Sequence, residues 1–361
     1  MENRVYNFSA GPSQMPLEVL EEAQRDLINY GGTGTSVMEM SHRSAAFQSI
    51  IDGAEATLRR IMNIPDSYAV LFLQGGASLQ FSMIPMNLLK RGEKCAYINT
   101  GNFAGKAADE AKRWGDVSIV ASSKDKNFTY IPKISASDIP EGSKYLHITG
   151  NNTIFGTTYY TLPQTGGVPI VADWSSAIIG KEINIGDYDL VYAGAQKNMG
   201  PAGLTIVIIK KSLLENEVDP VVPIMLRYNI HADKGSMYNT PPCWSIYMGS
   251  LMYKWVEKQG GVKEMEKRNR EKAKLLYDFI DNSKLYTNNV AKEDRSIMNA
   301  TFVLPTKEQT DAFIAFAKDK GIVNVKGHKL VGGCRASIYN GMPLEGVKKL
   351  IEVMKEFEQN V

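Results

Sequence analysis

The sequence predicts an α/β protein: a large domain on a mostly parallel sheet, followed by a smaller α+β domain. Three observations carry that expectation. Seven apolar runs of strand length alternate with helix-like segments between residues 17 and 260. The runs are apolar almost throughout rather than at every second position, as strands buried on both faces are. The chain of 361 residues exceeds what one simple core accommodates, so a second domain is expected.

The strand candidates are "YAVLFLQ" (68–74), "KCAYINT" (94–100), "VSIVAS" (117–122), "KYLHIT" (144–149), "VPIVAD" (168–173), "LVYAGA" (190–195) and "LTIVII" (204–209). Segments such as "SLQFSMIPMNLLKRG" and "FAGKAADEAKRWG" supply helices between them. "MLRYNIHADKGSMYNTPP" (225–242) has no sustained period and is expected to be a long loop, the kind that usually serves function. A helical stretch runs over 243–282 and breaks near "QGG" at 259–261. The tail then offers a strand "NATFVLP", a helix "TKEQTDAFIAFAKDKG", a strand around "CRASIYN" and a last helix. Val347, Leu350, Ile351, Met354 and Phe357 give that helix one apolar face. Residues 16–260 are assigned to the large domain, and residues 1–15 with 261–361 to the small one.

Lys+Arg minus Asp+Glu is 41 − 39 = +2, which gives no broad attraction to nucleic acid or a membrane surface. The opening "MENRVYNFSAGP" has no apolar core of a signal peptide, and no run approaches the length of a membrane helix. Cys95, Cys243 and Cys334 are odd in number and far apart, which suits a reducing cytoplasm better than a disulfide framework. His42, His147, His231 and His328 show no metal-ligand spacing, so no metal is expected.

Chemistry is expected where strands end. "VPIVAD" finishes on Asp173, and "LVYAGAQK" runs into Lys197 among alanines and glycines. Most lysines sit in water, so one at the end of a buried strand needs a partner or a covalent task. "LFLQGGAS" turns through glycines into a helix with Ala77 and Ser78 at its start, where free N–H groups and the helix dipole favour a phosphate. An anion cradle, a carboxylate and a lysine in one crevice fit pyridoxal phosphate. Each signal alone has a plainer explanation: a solvated lysine, an Asp capping a helix at "DWSS", a Gly-Gly turn.

"NFSAGP" (7–12), "EMSHRS" (39–44), "ADWSS" (172–176), "GAQKNMGPAG" (194–203), "YNTPP" (238–242) and "VGGCRASIYNGMPLEGV" (331–347) together resemble the phosphoserine aminotransferase family. Its members are class-V, dimeric pyridoxal-phosphate enzymes of the aspartate-aminotransferase fold, PLP-dependent transferase fold type I. The resemblance implies Lys197 as the Schiff-base lysine, Asp173 as partner of the pyridinium nitrogen, Gln196 as a phosphate contact and Thr153 as partner of the pyridoxal hydroxyl. Asn239 and Thr240 match residues that reach the phosphate from the neighbouring subunit, so the active sites of a homodimer would be shared. Arg335 matches the arginine that grips the α-carboxylate. His42 with Arg43, and His328 with Lys329, match pairs that receive the distal anion, and Ser9 lies near the bound glutamate in the family. The implied reaction transfers the amino group of L-glutamate to 3-phosphohydroxypyruvate in serine biosynthesis. Some members also aminate 3-hydroxy-2-oxo-4-phosphooxybutanoate in pyridoxine biosynthesis.

Three positions depart from the family pattern. Phe103 stands where many members stack a Trp, Ala77–Ser78 stand where some have an arginine, and Lys329 replaces a fork-shaped arginine with a point charge. Two other readings remain open on the residues alone. Cys334 could be the nucleophile of a cysteine desulfurase-like lyase, and "GGTGTS" (31–36) could belong to a binding module without pyridoxal phosphate, although it lacks a P-loop lysine.

Overall fold

A computed structural model describes residues 4–361; residues 1–3, part of the expected small domain, lie outside it. All seven expected strands form one sheet: β1 (Tyr68–Leu73), β2 (Lys94–Asn99), β3 (Asp116–Ser122), β4 (Leu146–Thr149), β5 (Ile170–Asp173), β6 (Leu190–Gly194) and β7 (Thr205–Lys210). Their spatial order is β1-β7-β6-β5-β4-β2-β3. Only β7 runs against its neighbours, so β1 and β6, on either side of it, point the same way. The carboxyl ends of β1, β4, β5 and β6 therefore open on one edge of the sheet, where α/β proteins place ligands.

Why the strands are apolar throughout is visible in the packing. Alternate side chains go to two separate cores. Val70, Ile98, Ile148, Ala172, Val191 and Ile206 face α2 (Ala45–Met62) and α5 (Cys243–Lys258). Leu71, Tyr97, Val171, Tyr192 and Val207 face α3 (Gly76–Leu88) and α4 (Asn102–Ala111). Helix α2 starts where Ser44 accepts a hydrogen bond from the Phe47 N–H at 3.2 Å, and it ends on Asn63 in the left-handed region.

The expected break at 259–261 separates α5 from α6 (Gly261–Asn282), with Gly260 at φ 103°, a conformation that favours glycine. The tail holds strands β8 (Asn299–Phe302) and β9 (Cys334–Ser337), paired antiparallel, with α7 (Lys307–Asp319) and α8 (Leu344–Gln359). On α8, Val353 is buried and Ile351 only half-buried, so the apolar face is turned slightly from the one expected. Tyr6–Asn7 pairs in parallel with Ile322–Val323, which ties the N-terminal residues to the tail.

The segment 225–242 departs from the expected loop. It contains a short helix, Tyr228–Asp233, whose Tyr228 is buried and donates its hydroxyl hydrogen to Gln80 Oε1 at 2.6 Å. Six residues are too few to show a helical period, and tertiary anchors fix this turn. The run 31–36 is a turn with Gly31, Gly32 and Gly34 at positive φ. It forms no phosphate loop between a strand and a helix.

Candidate active site

Strands β5 and β6 are parallel neighbours, with Asp173 in register with Tyr192. Asp173 is the last residue of β5, and Lys197 follows β6 by three residues, in a turn. Both therefore stand at the same edge. Asp173 caps no helix: residues 175–180 form turns, and its Oδ1 accepts the Ser175 N–H at 2.9 Å. Burial raises the Asp173 proton affinity. The Lys197 charge and donors from Ser175 and Tyr192 oppose that.

The turn carrying Lys197 is fixed from behind by the N-terminal segment. Ser13 N–H donates to the Gln196 carbonyl at 3.0 Å, and the Ser13 hydroxyl donates to the Lys197 carbonyl. A Cβ on Gly11 would stand 3.3 Å from Lys197 Cγ and 3.4 Å from Gln196 Cγ, so glycine permits this close approach. Lys197 Nζ donates to Thr153 Oγ1 at 2.7 Å and lies 5.6 Å from the centre of the Phe103 ring. Part of the side chain meets the crevice, yet the ammonium is so closely surrounded that desolvation lowers its pKa to about 8, against the opposing charge of Asp173.

This depression has a sign that can be tested. Between about 8 and the ordinary 10.5, the unfolded chain binds a proton at this lysine that the folded chain does not. Folding stability contributed by Lys197 therefore rises with pH through that window. Ligand-free wild type is expected to gain about 3 kcal/mol on Lys197→Met between the two ends of it, read from denaturant midpoints. A difference that is flat with pH would contradict the depressed value.

Arg335, in β9, reaches the same place. Its Nη1 donates to the Thr153 carbonyl at 3.2 Å, while its Nε is buried without a partner. A buried guanidinium N–H left unpaired is costly, and an anion entering the crevice would satisfy it. His328 is shifted down, first by burial and then by the charges of Arg335, Lys329 and Lys106. Arg335, Lys329 and Lys106 form a cationic corner around His328, and the same charges hold that ring toward its neutral form. Lys106 of α4 is a member that sequence reasoning missed, because nothing in "FAGKAADEA" distinguishes it from a solvated helix lysine.

At the end of β1, the turn Gln74-Gly75-Gly76 leads into α3 with Gly75 at φ 88° and Gly76 at φ 65°. No side chain caps the helix, so the first N–H groups, including those of Ala77 and Ser78, have no side-chain cap partner. This helix start could hold a phosphate. Gln196 curls back over Gly194, where a Cβ would lie 2.6 Å from its Oε1.

Other expected residues are not brought to Lys197 by contacts within one chain. His42 is half-buried and Arg43 exposed in the turn before α2. Asn239 and Thr240 are exposed, and the Thr240 carbonyl accepts from Gln74 Nε2 at 3.3 Å, beside the α3 turn. Ser9 is half-buried, with its hydroxyl 3.4 Å from the Gly11 N–H. Cys334 is only 1% exposed and burial pushes its thiol up to about 12, the opposite of what a thiolate nucleophile needs. No cluster of three or more His, Cys, Asp or Glu able to hold a metal occurs among the described residues.

Residues 5–350 match the profile of the family described as aminotransferase class-V. The chain belongs to the class-V aminotransferase family. Within it, a phosphoserine aminotransferase of Bacillus cereus is 53% identical over 355 residues, 98% of each chain. The solved phosphoserine aminotransferase from Bacillus circulans subsp. alkalophilus is 44% identical and superposes with a TM-score of 0.96 over 99% of both chains. A third relative, the phosphoserine aminotransferase of Trichomonas vaginalis solved with PLP bound, is 36% identical with a TM-score of 0.93, over 98% of this chain and 100% of that one.

Proposed function

We propose that this class-V chain is a pyridoxal-phosphate-dependent transaminase that moves the amino group of L-glutamate to 3-phosphohydroxypyruvate, giving 2-oxoglutarate and O-phospho-L-serine. The observation that carries this is the convergence of Lys197, Asp173, Thr153 and Arg335 at one sheet edge, next to an uncapped helix start. The site fits the cofactor on its own terms. Lys197 offers an amine of lowered pKa, Asp173 a buried acid, Phe103 an aromatic face, and Gly76, Ala77 and Ser78 N–H groups for a phosphate. Gln196 and Thr153 would add polar contacts, with Asn239 and Thr240 arriving from a second copy in a homodimer. When bound, pyridoxal phosphate supplies the carbon that carries nitrogen between substrates and the ring that accepts electron density from the substrate Cα.

The protein's own groups do the rest. Lys197 Nζ, partly neutral near pH 8, takes the proton from the substrate Cα and returns one nearby as a positioned base and acid. Arg335 orients the α-carboxylate through its fork of N–H groups. Lys329 and Lys106 would lend positive charge for the second anionic end, His328, held toward its neutral form, would offer a hydrogen bond beside them, and His42 and Arg43 of the other copy would complete it. Ser9, on the segment braced against Lys197, would border the substrate. Arg335→Lys is expected to raise KM for glutamate about 100-fold with a smaller change in kcat, because a point charge replaces the fork. An unchanged KM would remove Arg335 from the carboxylate site.

We further take residues 16–260 as the cofactor-binding domain and 1–15 with 261–361 as the small domain, supported by the pairing of Tyr6–Asn7 with Ile322–Val323. A cytoplasmic location agrees with three free cysteines, and no described helix is long and apolar enough to cross a membrane. The reading is tested by half-reactions. Glutamate added to loaded protein should give one 2-oxoglutarate per site, and 3-phosphohydroxypyruvate should then regenerate the starting absorbance. Restoration by pyruvate but not by the phosphorylated keto acid would refute the substrate.

A further inference from the structure

The turn that follows Asp173 holds a strained residue. Ile179 is fully buried and stands at φ 52°, in the left-handed region that a β-branched side chain rarely enters. Such a conformation persists only where the surroundings impose it. Here the Ile179 carbonyl accepts from Asn340 Nδ2 at 2.9 Å, and the Gly180 carbonyl accepts from Asn269 Nδ2 at 2.9 Å. Asn269, on α6, also donates to Asn340 Oδ1 at 2.7 Å, so the Asn340 amide is engaged at both its nitrogen and its oxygen.

The backbone of the same residue reaches the Lys197 turn. The Asn340 N–H donates to Asn198 Oδ1 at 3.0 Å, and Asn198 directly follows Lys197. The three asparagines are at most 7% exposed, so water competes little for these bonds. A Cβ on Gly180 would lie 2.8 Å from Asn340 Oδ1 and 2.9 Å from Asn198 Nδ2, so only glycine fits where the three chain segments meet. From α6, Lys272 Nζ pins the segment around Asn340 by donating to the carbonyls of Ile338, Tyr339 and Met342 at 2.9, 2.8 and 2.9 Å. That segment continues β9, the strand that carries Arg335. Strand pairing already sets Asp173 against Lys197, whereas Arg335 comes from a separate two-stranded sheet.

We propose that Asn198 and Asn340 are positioning residues: together they lock the turn carrying Lys197 to the segment that leaves the Arg335 strand, and so fix the lysine nitrogen relative to the arginine fork. Neither asparagine touches substrate or reacting atoms. Their effect passes through the backbone of residues 197 and 198, which Ser13 braces from the other side. The inference rests on the proposed function for the roles of Lys197 and Arg335, so its first test uses the full chain without cofactor.

Nitrogen NMR of lysine-labelled protein, with Lys197 assigned from its loss in Lys197→Met, follows the titration of that amine. Asp173 and Arg335 are its charged neighbours, and both are kept. Asn198→Ala should loosen the turn, admit water and raise the proton affinity of Lys197 about tenfold, toward that of an ordinary lysine. Asn340→Ala should move it in the same direction, and the double variant no further than the larger single one, because the two bonds act in series. Tyr286→Phe, which removes a hydrogen bond to the Met354 carbonyl at 3.1 Å, weakens the small domain elsewhere and should leave Lys197 unmoved. In loaded protein Asn198→Ala should lower kcat about tenfold with little change in KM for glutamate. A Lys197 titration unmoved by either asparagine variant, moved equally by Tyr286→Phe, or moved additively in the double variant overturns the proposal. Wild type alone also tests it. Residue 340 lies outside any strand or helix, yet hydrogen exchange resolved on overlapping peptides should find its N–H protected, and rapid exchange there refutes the lock even if the variants fail to fold. Failure of loaded wild type to convert glutamate would instead count against the transaminase reading.

Discussion

Lys197→Ala is expected to lower turnover of cofactor-loaded protein about ten-thousand-fold, measured as 2-oxoglutarate release from glutamate. On the proposed function two roles would be lost with one nitrogen: covalent attachment of the cofactor and proton movement at the substrate Cα. The fold should tolerate the change. The ammonium is held by one side-chain hydrogen bond, to Thr153, and its desolvation already opposes its charge. Thermal unfolding of the ligand-free variant should therefore fall no lower than that of wild type. Small primary amines added to the variant should restore part of the rate, because they can occupy the vacated space and carry the proton. A variant with a tenth of wild-type turnover would show that another group moves the proton.

Asp173→Asn should lower turnover about a thousandfold while leaving Arg335-dependent substrate binding nearly intact. At roughly 3 Å and an effective dielectric near 20, a carboxylate attracts a ring N–H⁺ by about 5 kcal/mol before desolvation. Part of that is offset by the cost of burying Asp173, which the rise in its proton affinity records. An amide of equal shape retains a hydrogen-bonding group but no charge, so the variant would no longer favour a protonated ring nitrogen, on which the cofactor's capacity as an electron sink would depend. Turnover should fall steeply and KM for glutamate little. Equal losses in both would mean that Asp173 acts in binding.

The strands were legible because each is buried on both faces, which writes an unbroken apolar run into the chain. Their order was not legible. Nothing in "VPIVAD" or "LVYAGA" says that the two strands are adjacent, and that adjacency is what brings Asp173 and Lys197 to one edge. Arg335 became recognisable only through the words around it. Its link to Thr153 spans 182 residues and depends on β9 pairing with β8. The short helix at 228–233 was missed because tertiary anchors, not local period, hold it.

The central claim is that a single nitrogen holds the cofactor covalently. Borohydride reduction of the loaded protein, followed by proteolysis and mass spectrometry, tests it directly. The account predicts one pyridoxyl group per chain, on the peptide containing Lys197. A label on any other lysine, or protein that binds the cofactor yet acquires no label, would contradict it.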